Sequence, residues 1–146
     1  MKDTNNIETY NIWSGTDYTE NTTNFTKGTG IQLNNSKEWS SNGESSLKIE
    51  RIADSSYHCD TSHLSNVNAG ETLTYSCIVY SPNIKVNVRL RGNGEDLASV
   101  SVPVSTKPIL ISLSASVPED YGYMCLRFLP TSRDSLFVDN ISAMIS

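Results

Sequence analysis

The chain has 146 residues, of which 37% are hydrophobic and 18% charged, with a formal net charge of -5. This length suits one hydrophobic core, and we expect a single β-sandwich domain over residues 1–146. The acidic balance provides no cationic surface for a phosphate backbone, so nucleic acid is not an expected partner. No apolar run reaches the roughly 20 residues of a membrane-spanning helix, so membrane insertion is not expected either.

Residues 1–40 predict irregular strands separated by long loops. This segment is rich in Thr and Asn and alternates poorly, although it holds both tryptophans, Trp13 and Trp39. Two or three short strands are expected here, and for Trp13 we favour burial in the core. The first residues carry one Lys with no apolar segment behind it, so a signal peptide is not expected within the chain.

Residues 41–146 predict the main sandwich strands. Stretches with strand-like alternation recur at intervals of roughly 10 to 15 residues between turn signals, which is typical of an antiparallel sandwich. We place these strands at 46–52, 56–64, 72–80, 85–91, 97–104, 108–115, 123–130 and 136–144. The stretch 85–91 alternates most regularly, so one of its faces belongs to the core and the other is polar and basic.

The chain has three cysteines, Cys59, Cys77 and Cys125, which cannot all pair with one another. None of them forms a Cys-x-x-Cys pair, and we interpret them as small buried residues of strands. In a secreted protein, one disulfide and one free thiol would also fit the sequence.

Five stretches share their order and spacing with a known type of module. They are NGESSLKI at 42–49, VNAGETLTYS at 67–76, VNVRLR at 86–91, LRF at 126–128 and FVDNIS at 137–142. Together they resemble the jelly-roll carbohydrate-binding modules of the family 4/9 type, which are galactose-binding-like β-sandwiches. The resemblance covers residues 39–144 and implies an all-β fold, an antiparallel sandwich with jelly-roll topology.

The resemblance implies a non-catalytic module that binds a polysaccharide or other glycan on its concave sheet. Sugar recognition combines flat aromatic faces with planar hydrogen-bonding groups. We predict the hydrogen-bonding groups to be Asn87, Arg89, Arg91 and Arg127. Tyr80 is the expected stacking platform at the edge of that sheet, and Trp39 is a second candidate on a loop. The alternatives are a solvated face covered by arginine stems and a Trp39 that plugs one end of the sandwich.

These residues do not identify the sugar, but the guanidinium groups favour an acidic sugar on one condition. Arg side chains present planar forks that match a carboxylate, so an acidic sugar is the ligand to expect if the arginines bind it directly.

Similar modules place a carboxylate on a structural calcium ion at the position of Asp139, so the resemblance implies calcium as a cofactor. Calcium takes six to eight oxygens, and carbonyls of the Asn42-Gly43 turn could complete the site. The alternative is an Asp139 that accepts hydrogen bonds from loop amides. His58, Asp60 and His63 suggest a transition-metal cluster, but strand alternation places His63 on the face opposite Asp60, which argues against one site.

No enzymatic activity is expected. The carboxylate pairs at 95–96 and 119–120 lie in predicted loops, whereas glycoside hydrolysis needs two carboxylates facing each other across a groove. The resemblance places the module in an extracellular or cell-surface protein, with other domains of a larger surface protein or assembly as partners. The alternative function is a structural or assembly sandwich of a cell-surface adhesin or a virion protein, with no sugar ligand.

Overall fold

The computed structural model describes residues 10–13, 22–41, 45–64, 67–120 and 122–146, and within these it has eleven strands and one 3-10 helix at Thr22–Asn24. The strands are β1 Tyr10–Trp13, β2 Phe25–Lys27, β3 Ile31–Ser36, β4 Ser46–Arg51, β5 Cys59–Thr61, β6 Thr72–Tyr80, β7 Val86–Gly92, β8 Glu95–Val102, β9 Ile109–Ser116, β10 Met124–Pro130 and β11 Ser135–Ile145. All eight strands predicted after residue 41 are present, most of them within two residues of the predicted ends. No helix in the described segments is long and apolar enough to cross a membrane.

The strands form two antiparallel sheets. The first sheet has the order β3-β4-β11-β6-β9, with β1 also paired to β11, and the second has the order β2-β5-β10-β7-β8. Consecutive strands often belong to different sheets, because the chain crosses from β6 to β7, from β8 to β9, and again on either side of β10. The predicted antiparallel β-sandwich is confirmed.

The core lies between the sheets and is built from every second side chain of the central strands. In β6 the buried positions are Leu73, Tyr75, Cys77 and Val79, and in β7 they are Val86, Val88 and Leu90. Burying a large apolar side chain of this kind stabilises the fold by about 1.5–3 kcal/mol. The intervening side chains of β7 consequently point outward, which is what positions the candidate site.

All three cysteines are free and buried, as predicted. Cys59 and Cys77 lie in the core, whereas Cys125 is on the outer side of the second sheet and is nevertheless only 1% exposed. Burial raises the pKa of each thiol, that of Cys125 to about 12. At neutral pH all three are therefore protonated thiols.

A tight hairpin joins β7 to β8. Asn93 and Gly94 have φ values of 56° and 80°, and two consecutive positive φ angles are typical of a type I′ turn. The twist of this turn matches that of the strands, and it places Arg91 directly opposite Asp96.

Candidate functional site

The outer face of the second sheet, called the arginine face here, carries the four polar side chains predicted from alternation. Three rows of neighbours cross β10, β7 and β8. They are Leu129, Asn87 and Ser101; Arg127, Arg89 and Ser99; and Cys125, Arg91 and Asp96. Asn87, Arg89, Arg91 and Arg127 are all half-buried, so their stems cover the sheet while their polar ends reach solvent.

Three ion pairs, made by two carboxylates, fix the guanidinium groups of this face. Arg127 donates from Nε and Nη2 to the two carboxylate oxygens of Asp60, at 2.7 and 2.9 Å, and Asp60 is only 5% exposed. This hydrogen bonding raises the pKa of Arg127 above its ordinary value. Asp96 accepts hydrogen bonds from Arg89, at 3.0 Å, and from Arg91. Two carboxylates thus compensate three guanidinium groups.

An aromatic pair adjoins the arginine face. The rings of His63 and Tyr123 are stacked, with centroids 4.0 Å apart and planes inclined by 14°. Tyr123 immediately precedes β10, and alternation through Cys125 and Arg127 places all three on one side of the sheet. Sequence reasoning missed Tyr123, although that alternation was the signal that would have found it.

Tyr80 lies elsewhere, and the expectation that it borders the arginine face is wrong. It is the last residue of β6 in the first sheet and pairs with Phe137 on β11. Its ring stacks on Trp39, with centroids 5.0 Å apart, and lies 5.9 Å from the ring of Phe137. The chain crosses to the second sheet directly after Tyr80, which is why adjacency in sequence misplaced it.

We call Trp39, Tyr80 and Phe137 the aromatic patch. Trp39 is half-buried and rests on Tyr80, so it covers the outside of the first sheet rather than plugging an end of the sandwich. Lys48 lies 5.8 Å from the centre of the Phe137 ring and forms an ion pair with Glu38. The side chain of Trp13, expected in the core, lies outside the described residues.

Asp139 is fully buried and accepts hydrogen bonds on both carboxylate oxygens. Oδ2 accepts from the backbone N–H and the hydroxyl of Ser41, at 2.8 and 2.9 Å, and Oδ1 accepts from the N–H of Asn140 at 2.9 Å. These three contacts come from backbone N–H and hydroxyl donors, and they alone do not make a calcium site. The Asn42-Gly43 turn lies outside the described residues, and calcium at Asp139 stays a prediction.

A second group of ligand-type side chains does converge. One ligand atom from each of Asp60, His63 and Cys125 lies within 4.8 Å of the other two. The expectation that His63 faces away from Asp60 is therefore wrong, because the regular alternation of β5 stops at Thr61.

The chain matches no protein-family model, and no curated protein sequence matches it. It is similar in structure to the CBM22-1 and GH10 modules of endo-1,4-β-D-xylanase 10B from Clostridium thermocellum, solved with xylohexaose, at a TM-score of 0.76 and 15% identity. That match covers 94% of this chain and 28% of the xylanase chain. The CBM22-1 xylan-binding domain of Xyn10C from Paenibacillus barcinonensis matches with a TM-score of 0.72 and 15% identity, over 93% of this chain and 94% of the domain.

A protein of another kind shares the fold. The enzymatically active domain of tailspike protein 4 from bacteriophage CBA120 matches at a TM-score of 0.64 and 14% identity, over 88% of this chain and 20% of that one. At such identities the likeness shows the fold, and it confirms the jelly-roll sandwich. The carbohydrate-binding neighbours are family 22 modules, so the narrower family 4/9 assignment is not supported.

Proposed function

We propose that this domain is a non-catalytic carbohydrate-binding module that holds a glycan on its arginine face. The observation that carries the proposal is the combination on one outer sheet face of planar hydrogen-bonding side chains with a neighbouring Tyr123–His63 stack. Two of the structural neighbours are described as xylan-binding or as bound to a xylo-oligosaccharide, which supports the same function.

The arginine face offers the two kinds of contact that sugars need. The amide of Asn87 makes no hydrogen bond with other described residues, so its donor and acceptor are available to hydroxyl groups. Arg89 keeps about a third of its side chain exposed even though it contacts Asp96. Tyr123 supplies an aromatic ring for the C–H side of a pyranose. Since Asp60 and Asp96 hold the arginines in place, little side-chain entropy is lost when a glycan binds.

The charge balance of this face favours a neutral glycan over an acidic one. Most of the donors that a carboxylate would use on Arg91 and Arg127 are already directed at Asp96, Gly94 and Asp60. A sugar carboxylate would have to displace these protein acceptors, whereas hydroxyl groups can share them. A neutral β-linked polysaccharide, with xylan as the first candidate, is the ligand we infer.

Such a ligand places the parent protein where polysaccharides are found, outside the cell or on its surface. The partners that fit are further domains of a larger surface or secreted protein. A glycan-binding module keeps the domains linked to it close to the polysaccharide, which raises their effective concentration there. We also propose a structural calcium ion at Asp139. It would stabilise the loop that contains Ser41 and would not contact the sugar.

Titration calorimetry with soluble xylan, mixed-linkage glucan, mannan and an acidic polysaccharide tests the proposal. We expect saturable binding to a neutral β-linked glycan, weakened in Arg89→Ala and Tyr123→Ala. Arg133→Ala is the matched control, because Arg133 pairs with Asp54 in loops away from the sheet face. If none of these glycans binds, the proposal is contradicted. The alternative would then be a structural or assembly domain without a sugar ligand, and the tailspike protein, which is of another kind, has a similar fold.

A further inference from the structure

We propose that Asp60, His63 and Cys125 form a binding site for a zinc-class divalent metal ion at one end of the second sheet. The proposal does not depend on glycan binding. It rests on the convergence of a carboxylate and an imidazole from residues 60–63 with the thiol of Cys125 on β10, one ligand atom of each lying within 4.8 Å of the others.

An extra residue beside β10 brings His63 to this position. Asp60 pairs with Arg127, and four residues later Leu64 pairs with Met124, which is only three residues from Arg127. The extra residue between these pairs acts as a bulge and reverses the direction of the side chains that follow. Two backbone hydrogen bonds between Leu64 and Met124, at 2.8 and 2.9 Å, hold the segment there. His63 is thereby brought beside Cys125.

The three side chains are suited to zinc. Zinc binds thiolate sulfur at about 2.3 Å and imidazole nitrogen or carboxylate oxygen at about 2.0–2.2 Å, in tetrahedral geometry. Neighbouring ligand atoms around such an ion are separated by about 3.5 Å. The present separations, up to 4.8 Å, require a small contraction. His63 is exposed and can supply that movement by a shift of its ring within the plane of the stack on Tyr123, while Asp60 and Cys125 are buried.

Two further contacts orient the ligands. The fork of Arg127 holds the carboxylate of Asp60 while each oxygen keeps a second lone pair for a metal. The stack on Tyr123 holds the plane of the His63 imidazole. Metal ligands in proteins are typically oriented by such outer contacts, and their loss weakens metal binding. Three protein ligands with His63 at the surface leave a fourth position open to water.

Metal binding replaces the S–H bond of Cys125 by a bond between sulfur and the metal. The Cys125 S–H bond breaks, a sulfur–metal bond forms, and the proton leaves to solvent, with no change in oxidation state. Cobalt(II) is the probe of choice, because a thiolate bound to cobalt gives a charge-transfer absorption that carboxylate and imidazole ligands do not give.

The test is a titration of the reduced wild-type protein with cobalt(II), followed by competition with zinc. We expect one ion per chain, a thiolate-to-cobalt band that zinc removes, and a higher unfolding temperature with metal. Cys125→Ser should lose the band, and His63→Ala should weaken binding by at least about 10-fold. His58→Ala is the matched control, because it removes the only other histidine of the chain and should bind like the wild type.

Absence of a saturable cobalt signal in the wild-type protein would overturn the proposal. The same band in Cys125→Ser would also overturn it, since the thiolate would then be Cys59 or Cys77 of a partly unfolded chain. If Cys125→Ser does not fold, the exposed His63 still carries the test, and equal affinity in His63→Ala and His58→Ala would contradict the site.

Discussion

Arg127 on β10 holds the buried carboxylate of Asp60 on β5 through two hydrogen bonds of 2.7 and 2.9 Å. The pair joins a short strand to the centre of its sheet, because β5 has only three residues and itself carries the three-residue β2 at the sheet edge. Few backbone hydrogen bonds secure these strands, so the ion pair is a main tether for them.

We predict that Asp60→Asn lowers the free energy of unfolding by about 2 kcal/mol, because it leaves Arg127 half-buried without a full charge partner. Urea unfolding monitored by circular dichroism measures the change. Asp54→Asn is the matched control: it removes an exposed carboxylate that also binds an arginine fork, on Arg133, and should leave the urea midpoint unchanged. Equal midpoints for wild type and Asp60→Asn would show that the tether is unimportant.

Stability should fall as the pH rises above about 9, the ordinary pKa of a thiol, because of the buried cysteines. In the unfolded chain Cys77 ionises there, whereas burial raises its pKa in the folded state and keeps it protonated. The unfolded state therefore binds fewer protons, and each such thiol contributes a loss of about 1.4 kcal/mol per pH unit.

Cys77→Ala isolates this effect from the other groups that titrate in alkali. Its free energy of unfolding, measured at several pH values between 9 and 10.5, should decline less steeply than that of the wild type, by about 1.4 kcal/mol per pH unit. Parallel declines would mean that the Cys77 thiol ionises equally in both states.

Asp139→Ala should destabilise the protein by about 2–3 kcal/mol, because three donors from Ser41 and Asn140 lose their buried acceptor. Thermal unfolding of wild type and variant, each with calcium and with EDTA, measures both this loss and the predicted ion. If calcium binds at Asp139, it raises the wild-type unfolding temperature and leaves that of the variant unchanged. Identical wild-type unfolding temperatures in calcium and in EDTA would contradict a calcium site at Asp139.

The sequence predicted those features that depend on alternation within one strand. In β7 the side chains alternate between buried and half-buried along the whole strand, so Asn87, Arg89 and Arg91 were placed correctly. Arg127 joined them because Leu126 and Phe128, its apolar neighbours in β10, face the core.

The predictions that were wrong, those for Tyr80 and His63, depend on how strands pair with one another. Alternation does not show that β6 and β7 belong to different sheets, so Tyr80 was placed beside side chains from which the core separates it. Nor does it reveal an irregularity such as the extra residue before Leu64, which turns His63 toward Asp60. Both features follow from pairing with distant segments, which a local pattern does not contain.

The aromatic patch provides the contrast that tests where the glycan binds. Trp39 and Tyr80 were predicted to bind sugar, and they lie on the outer face of the first sheet, away from the arginine face. We predict that Tyr80→Ala leaves glycan affinity unchanged, whereas Tyr123→Ala weakens it by about 5- to 10-fold, the effect of losing one aromatic contact of about 1–1.5 kcal/mol.

The most direct test of glycan binding at the arginine face is therefore a calorimetric titration of soluble xylan into wild type, Tyr123→Ala and Tyr80→Ala under one set of conditions. We expect saturable binding by wild type and Tyr80→Ala with similar affinity, and weaker binding by Tyr123→Ala. Binding that survives Tyr123→Ala and is lost in Tyr80→Ala would contradict the assignment to the arginine face and place the glycan on the aromatic patch.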